Sequence, residues 1–217
     1  MCESIDKYNR IVIQYNETHP NNAVEIAEIS ESVNLSFLDR FSYDWQYHDE
    51  RDSVSNTVTL EFLEKVVEIS DKLGVNPDDL MAVMAFESWI DPHMVNSWGA
   101  TGLIQFTNIG VSDLNVTVDE LYQMTAVDQL DYVYSYLCKK GELNTLGDLY
   151  MAILWPEGVG KDEEKYVVWN VNNVKEKDYY DRNKGLDTDC DGLITKKEAT
   201  QTVIARRNTF NKKEDNY

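Results

Sequence analysis

Cysteine is scarce in this chain: Cys2, Cys138 and Cys190 are scattered along 217 residues. Three such positions are too few for a disulfide framework or a four-ligand zinc site, so packing must hold the fold. Cations are also short, with 20 Lys+Arg against 39 Asp+Glu, a formal charge of −19 and a pI near 4.4. A nucleic-acid binder needs a basic face to release counterions from phosphates, and that class is excluded; adhesion to anionic lipid is disfavoured on the same ground. No uninterrupted apolar stretch, the run at 81–86 included, approaches the roughly 18 to 20 residues of a membrane-spanning helix. The opening MCESIDKYNR lacks the basic-then-apolar order of a secretory signal. Export is therefore expected to be signal-independent or to follow removal of a leader. Cys2 beside the initiator is compatible with a processed lipoprotein, but an ordinary terminal thiol is the expectation.

Breakers are few as well. Only 4 Pro and 10 Gly punctuate the sequence, whose 42% hydrophobic content is that of a folded protein. Most segments carry helical periodicity, which predicts a mainly α fold with short connections. Residues 1–57 are polar and acidic, with a short helix expected over Ala23 to Ser30 and no legible chemistry. From Thr59 the pattern sharpens: Phe62, Leu63, Val66, Val67, Ile69 and Leu73 fall largely on one helical face, and Gly74 stops it. A second helix starts with Asn76 as N-cap, Pro77 in the first helical position and Asp78 and Asp79 in the first turn. Further helices are predicted after the caps Thr117 and Thr125, the latter burying Val127, Leu130, Tyr134 and Leu137, and from about Thr145 to Leu154 before Pro156.

The second helix carries the first chemical signal. Its apolar stripe runs Leu80, Val83, Met84, and the next position on it is Glu87. A carboxylate there must find a cation, stay protonated or sit where the core opens into a cleft; desolvation raises its pKa, which suits a general acid near neutral pH. A helix-end glutamate bonded to backbone is the structural alternative, since Asp91-Pro92 closes the helix. Downstream, Trp98-Gly-Ala-Thr-Gly-Leu-Ile-Gln-Phe106 combines glycines that admit backbone close to a ligand with Gln105, which offers both donors and an acceptor.

Together, Glu87-Ser88-Trp89-Ile90-Asp91-Pro92 and Gly99-Ala100-Thr101-Gly102-Leu103-Ile104-Gln105-Phe106 resemble the soluble lytic transglycosylase family, a branch of the lysozyme-like superfamily. The resemblance runs from about residue 59 to 156 if Leu149-Tyr150 matches the family's downstream Ala-Tyr-Asn. Met151 stands where the family has Asn, and Ile104 where it has Met. The family likeness implies a goose-type lysozyme-like helical domain with little β structure. It implies that Glu87 protonates the glycosidic oxygen between N-acetylmuramic acid and N-acetylglucosamine, with a 1,6-anhydro product where the muramoyl 6-hydroxyl attacks. A lysozyme-type hydrolase with the same Glu is the alternative, and a non-catalytic calcium-dependent wall-binding or virion scaffold module a further one. Asp91 is either a second acid or a turn former. Ser88 is expected to orient Glu87, Gln105 to hold a sugar substituent, and Tyr150 to meet the glutamate or sugar. Trp98, Phe106 and Trp155 offer faces for sugar rings, although core packing is the expectation for each.

The second signal is Asp187-Thr-Asp189-Cys-Asp191-Gly192-Leu193-Ile194-Thr195-Lys-Lys-Glu198. It places carboxylates at positions 1, 3, 5 and 12 of a twelve-residue EF-hand loop, Gly at 6 and Ile at 8. The expected ligands of a structural Ca2+ ion are Asp187, Asp189, Asp191, the Leu193 carbonyl, Thr195 and both oxygens of Glu198. The loop stands alone, where EF-hands usually pair.

The resulting organisation is an acidic N-terminal region of unknown role over 1–57, a lysozyme-like domain over 58–176, an EF-hand-type helix-loop-helix over 177–210 and a polar tail over 211–217. The expected partner is the peptidoglycan glycan strand. The expected setting is a phage virion, or the extracellular or periplasmic cell wall, with 1–57 a candidate docking segment for a virion or secretion-apparatus partner.

Overall fold

The computed structural model describes residues 36–43, 45 and 57–210. The helix expected over Ala23 to Ser30, the Cys2 thiol and the tail at 211–217 lie outside the described residues. The described part is mainly helical with one small sheet, the architecture of the lysozyme-like class. Among its helices none is long and apolar enough to cross a membrane.

Local chemistry explains where the helices begin. Helix α1 (Leu60–Leu73) is capped by the Thr59 side chain, which accepts from the Phe62 N–H, and ends at Gly74 in the left-handed region. Helix α2 (Pro77–Ser88) follows with Asn76 accepting from the Asp78 N–H and Pro at its start. Thr117 and Glu120 form a reciprocal capping box for α3 (Val118–Tyr122), and Thr125 caps α4 (Ala126–Leu137). Thr145 does the same for α5 (Leu146–Leu154). The buried face of α4 is rotated from the sequence expectation: Ala126, Gln129, Leu130, Val133 and Leu137 are buried, while Val127 and Tyr134 are only half-covered.

Helix α2 is the centre of the molecule. Residues Leu80 to Ala85 are buried on every side, because α2 packs between α1, α5 and the C-terminal helix α7 (Lys196–Asn208). An apolar stripe therefore understates its burial. Strand β1 (Val167–Asn170) pairs antiparallel with β2 (Leu193–Thr195), with Trp169 opposite Ile194. Strand β2 lies inside the expected calcium loop, and Ile194 at its position 8 pairs with β1. The short helix α6 (Lys177–Asn183) leads into that loop.

Both ends of the described chain pack against the central helices. Ile194, Ala199, Val203 and Phe210, from the expected helix-loop-helix over 177–210, belong to the same buried cluster as α1, α2 and α5. A buried ion pair bolts it down: Lys196 Nζ lies 2.5 Å from Asp148 Oδ1 and also donates to the carbonyls of Gly158 and Lys161. At the other end Leu38, Phe41 and Trp45 are also core residues. The Trp45 indole N–H and the Ser42 N–H each donate to the buried Asp78 carboxylate at 2.8 Å, and Trp45 stacks on Phe210 with ring centroids 4.6 Å apart. Part of the region assigned to 1–57 thus closes the N-terminal end of α2.

Candidate active site

Glu87 occupies the last turn of α2, where the helix leaves the core and the side chain becomes half-buried. No hydrogen bond or ion pair from a described residue reaches its carboxyl, and desolvation pushes its pKa up to about 8. Two phenols register its charge. Burial raises the pKa of Tyr150 on α5 well above that of a free phenol, and Glu87 adds to it. Tyr136 on α4 is raised by burial, then by Asp113 and by Glu87. Tyr150 packs edge-on against Phe86 at 5.5 Å, and the Tyr136 hydroxyl donates to the Ala152 carbonyl at 3.3 Å.

The chain turns sharply after Glu87. Trp89 (φ 58°) and Ile90 (φ 60°) are both left-handed, a conformation costing roughly 1–2 kcal/mol per non-glycine residue. The Ile90 N–H donates to the Met84 carbonyl at 3.2 Å, and the Ile90 side chain is fully buried, which offsets part of that strain. Asp91 then accepts from the His93 N–H at 2.8 Å through one carboxylate oxygen, the bonding of a turn former.

The glycine-rich segment folds against this turn. Thr101 and Phe106 exchange backbone hydrogen bonds of 2.9 and 2.8 Å, closing a tight loop over Gly102 to Gln105. Gln129 of α4, fully buried, ties the loop to the turn. Its Oε1 accepts from the Leu103 N–H at 3.0 Å, while its Nε2 donates to the carbonyls of Pro92 and Leu121 at 2.6 and 2.8 Å. Gly102 is required here twice over: its φ is +78°, and a Cβ would run into Gln129 Oε1.

Several sequence expectations are redirected by this geometry. Ser88 is fully buried, and its hydroxyl serves the carbonyls of Leu103 (3.0 Å) and Met84 (3.2 Å). It therefore joins the turn to the glycine loop and does not bond to Glu87. The Gln105 amide donates to the carbonyls of Met94 and Gly102, so half of its polar capacity goes to the loop itself. Phe106 is buried edge-on against Tyr136 and offers no open face. Tyr150 is buried too, a wall beside the glutamate rather than a sugar platform. Trp98 departs in the opposite sense: it is 70% exposed, with Arg182 over its ring at 4.4 Å. Trp155 packs on Trp169 and Tyr179.

Sequence inspection overlooked Gln129 and Tyr136. Gln129 carried a signal: it is a polar residue at helical spacing from Ala126 and Val133, the same pattern that singled out Glu87.

In the acidic loop, carboxylate oxygens of Asp187, Asp189 and Asp191 gather within 4.8 Å of one another. Asp187 accepts from Tyr180 Oη at 2.5 Å and from the Gly192 N–H at 3.0 Å; the tyrosine bond leads in holding its pKa below the usual range. Glu198 faces the same loop. Burial works against its charge, but hydrogen bonds from Thr195 and Thr188 outweigh this and lower its pKa.

No curated protein matches the chain. Residues 65–132, which contain the glutamate turn, the glycine loop and Gln129, match the family described as transglycosylase SLT domain. Together with the helical fold, that match supports the resemblance of residues 65–132 to the transglycosylase SLT domain of the lysozyme-like superfamily, a family whose members are lytic transglycosylases acting on peptidoglycan.

Proposed function

We propose that this protein cuts peptidoglycan glycan strands between N-acetylmuramic acid and N-acetylglucosamine, with Glu87 as both general acid and general base. The observation carrying this is the state of Glu87: half-buried, unpaired among the described residues, and raised to about 8, so that it holds a proton at neutral pH. Protonated Glu87 donates to the glycosidic oxygen as the bond to muramoyl C1 breaks. The resulting carboxylate then takes the proton of the muramoyl 6-hydroxyl as that oxygen bonds to C1, which leaves a 1,6-anhydro end and restores the acid. The intramolecular route needs a single carboxylate, because the substrate itself supplies the nucleophile.

Glu87→Gln should keep the fold and abolish clearing in a cell-wall zymogram; retained lysis would refute the assignment. Mass spectrometry of the digest should show anhydro-muropeptides from the wild type, whereas reducing ends would establish a hydrolase. The acidic balance gives no electrostatic pull towards an anionic wall, so binding rests on sugar contacts or on delivery by a virion or secretion-apparatus partner.

We also infer a structural Ca2+ ion at 187–198. The donor set fits: three aspartates converge, and Gly192 with φ +88° supplies the tight turn. Asp187, Asp189, Asp191, the Leu193 carbonyl, Thr195 and Glu198 would hold the ion. It would neutralise clustered carboxylates at the start of α7 and take no part in the sugar chemistry. Calcium at about a hundred times its Kd should stabilise the fold by about 2.7 kcal/mol; an unchanged Tm on chelation would overturn the site.

A further inference from the structure

Both motifs of the SLT domain carry an arginine stacked on a tryptophan, and both arginines come from outside the matched residues. Arg182 of α6 lies over Trp98, just before the glycine loop. Arg206 of α7 lies over Trp89, 3.6 Å from the ring centroid, in the left-handed turn directly after Glu87-Ser88. The second contact is the more consequential, because Trp89 adopts a conformation that its own backbone disfavours. If the turn relaxed towards right-handed geometry, the last turn of α2 would rotate and Glu87 with it.

We propose that Arg206 is a positioning residue for Glu87: by clamping the face of Trp89 it holds the left-handed turn, fixing the carboxyl against Tyr136 and Tyr150 and keeping water out. The inference rests on the role proposed above for Glu87 as the acid. Arg206 is well placed for this, since α7 is anchored independently. Lys196 pairs with Asp148 on α5, Arg207 pairs with Asp79 at the start of α2, and Ala199 and Val203 are buried. The clamp is thus presented by a rigid element that also packs along α2.

Its action is indirect. Among the described residues, the groups facing Glu87 from its neighbours are Tyr136 on α4, which carries Lys140 over its ring at 4.0 Å, Tyr150 on α5, and Arg206 on α7 through Trp89. Desolvation is what raises Glu87. Removing a cation that acted by charge would raise the Glu87 midpoint further, whereas loosening a turn that excludes water would lower it.

That difference in sign is the test. The Glu87 carboxyl is titrated by 13C NMR in the full chain, its resonance assigned by loss in Glu87→Gln, and the wild type is compared with Arg206→Met and Arg206→Lys. In Arg206→Met the midpoint should move down towards that of an ordinary glutamate, with partial recovery in Arg206→Lys. On a soluble glycan, kcat should fall roughly tenfold to a hundredfold with KM little changed. Trp89→Phe, which keeps an aromatic face but a weaker cation partner, should shift the midpoint in the same direction by less, and it stands in if Arg206→Met fails to fold. An unchanged or raised midpoint in the folded variants, or a lower Tm with kcat and midpoint intact, overturns the proposal. A lowered midpoint in a protein that leaves cell walls uncut supports the clamp and refutes the function; cleavage by the wild type with no midpoint change refutes the clamp alone.

Discussion

Replacing Gln129 by Met should cost about 3 kcal/mol, and the figure follows from tracing what each of its partners loses. Met preserves most of the volume and leaves no sizeable cavity, so the effect is polar. Of the three backbone groups that Gln129 satisfies, the Leu121 carbonyl keeps another donor, the Met124 N–H at 3.0 Å. The Leu103 N–H and the Pro92 carbonyl are left with nothing among the described residues, and Gln129 is fully buried. An unsatisfied buried group costs about 1–3 kcal/mol, so two give about 2–6, with the lower half favoured because the loop can shift towards water. Urea unfolding at neutral pH should show this as a lower midpoint at constant m-value, and calorimetry as a Tm lower by roughly 6–12 °C. Activity should fall as well, because the same two bonds hold the glycine loop to the turn after Glu87. A loss below about 1 kcal/mol would refute the reasoning, since it would mean that the orphaned groups find water or each other without disturbing the fold.

Other perturbations have defined outcomes. Glu87 is raised from 4.5 to about 8 on folding, so its contribution to stability is greatest below the unfolded value and is lost as pH rises through the folded one. Glu87→Gln should therefore gain stability over wild type progressively between these values, read as Tm against pH, and a constant difference would contradict the buried-acid state. Lys196→Met strands Asp148 in the core and should cost about 3–5 kcal/mol by denaturant titration. In Asp148 burial opposes ionisation, but the Lys196 and Gly160 hydrogen bonds outweigh it and lower the pKa. Its stabilisation is thus present above the unfolded value near 3.8 and lost as pH falls through the folded one, so the acid limb of the stability profile should flatten in the variant. Trp45→Ala empties a core site and releases Asp78, for an expected loss of about 3–5 kcal/mol; a truncation that starts at residue 57 should unfold in the same denaturant range, and wild-type stability in either would refute the role of the N-terminal segment.

The sequence by itself determined the elements, because capping and periodicity are local: Thr59, Asn76, Thr117, Thr125 and Thr145 each begin a helix where their side chains accept from a backbone N–H two or three residues on. It also singled out Glu87, whose place on an apolar helix is visible at a spacing of three and four residues, and the acidic loop, whose donors lie within twelve positions. Tertiary structure decided what those residues face. Ser88 and Phe106 went to packing and Trp98 to the surface, because a side chain's neighbours across the core are set by other helices and not by its own segment. Asp148 with Lys196, Asp78 with Trp45 and Trp89 with Arg206 join positions far apart in the chain, and no local pattern encodes such pairs. The turn after Glu87 draws on distant elements, the buried Gln129 and the Arg206 face on Trp89, as well as on its own backbone bonds, and that is why the acid was legible in one dimension and much of its support only in three.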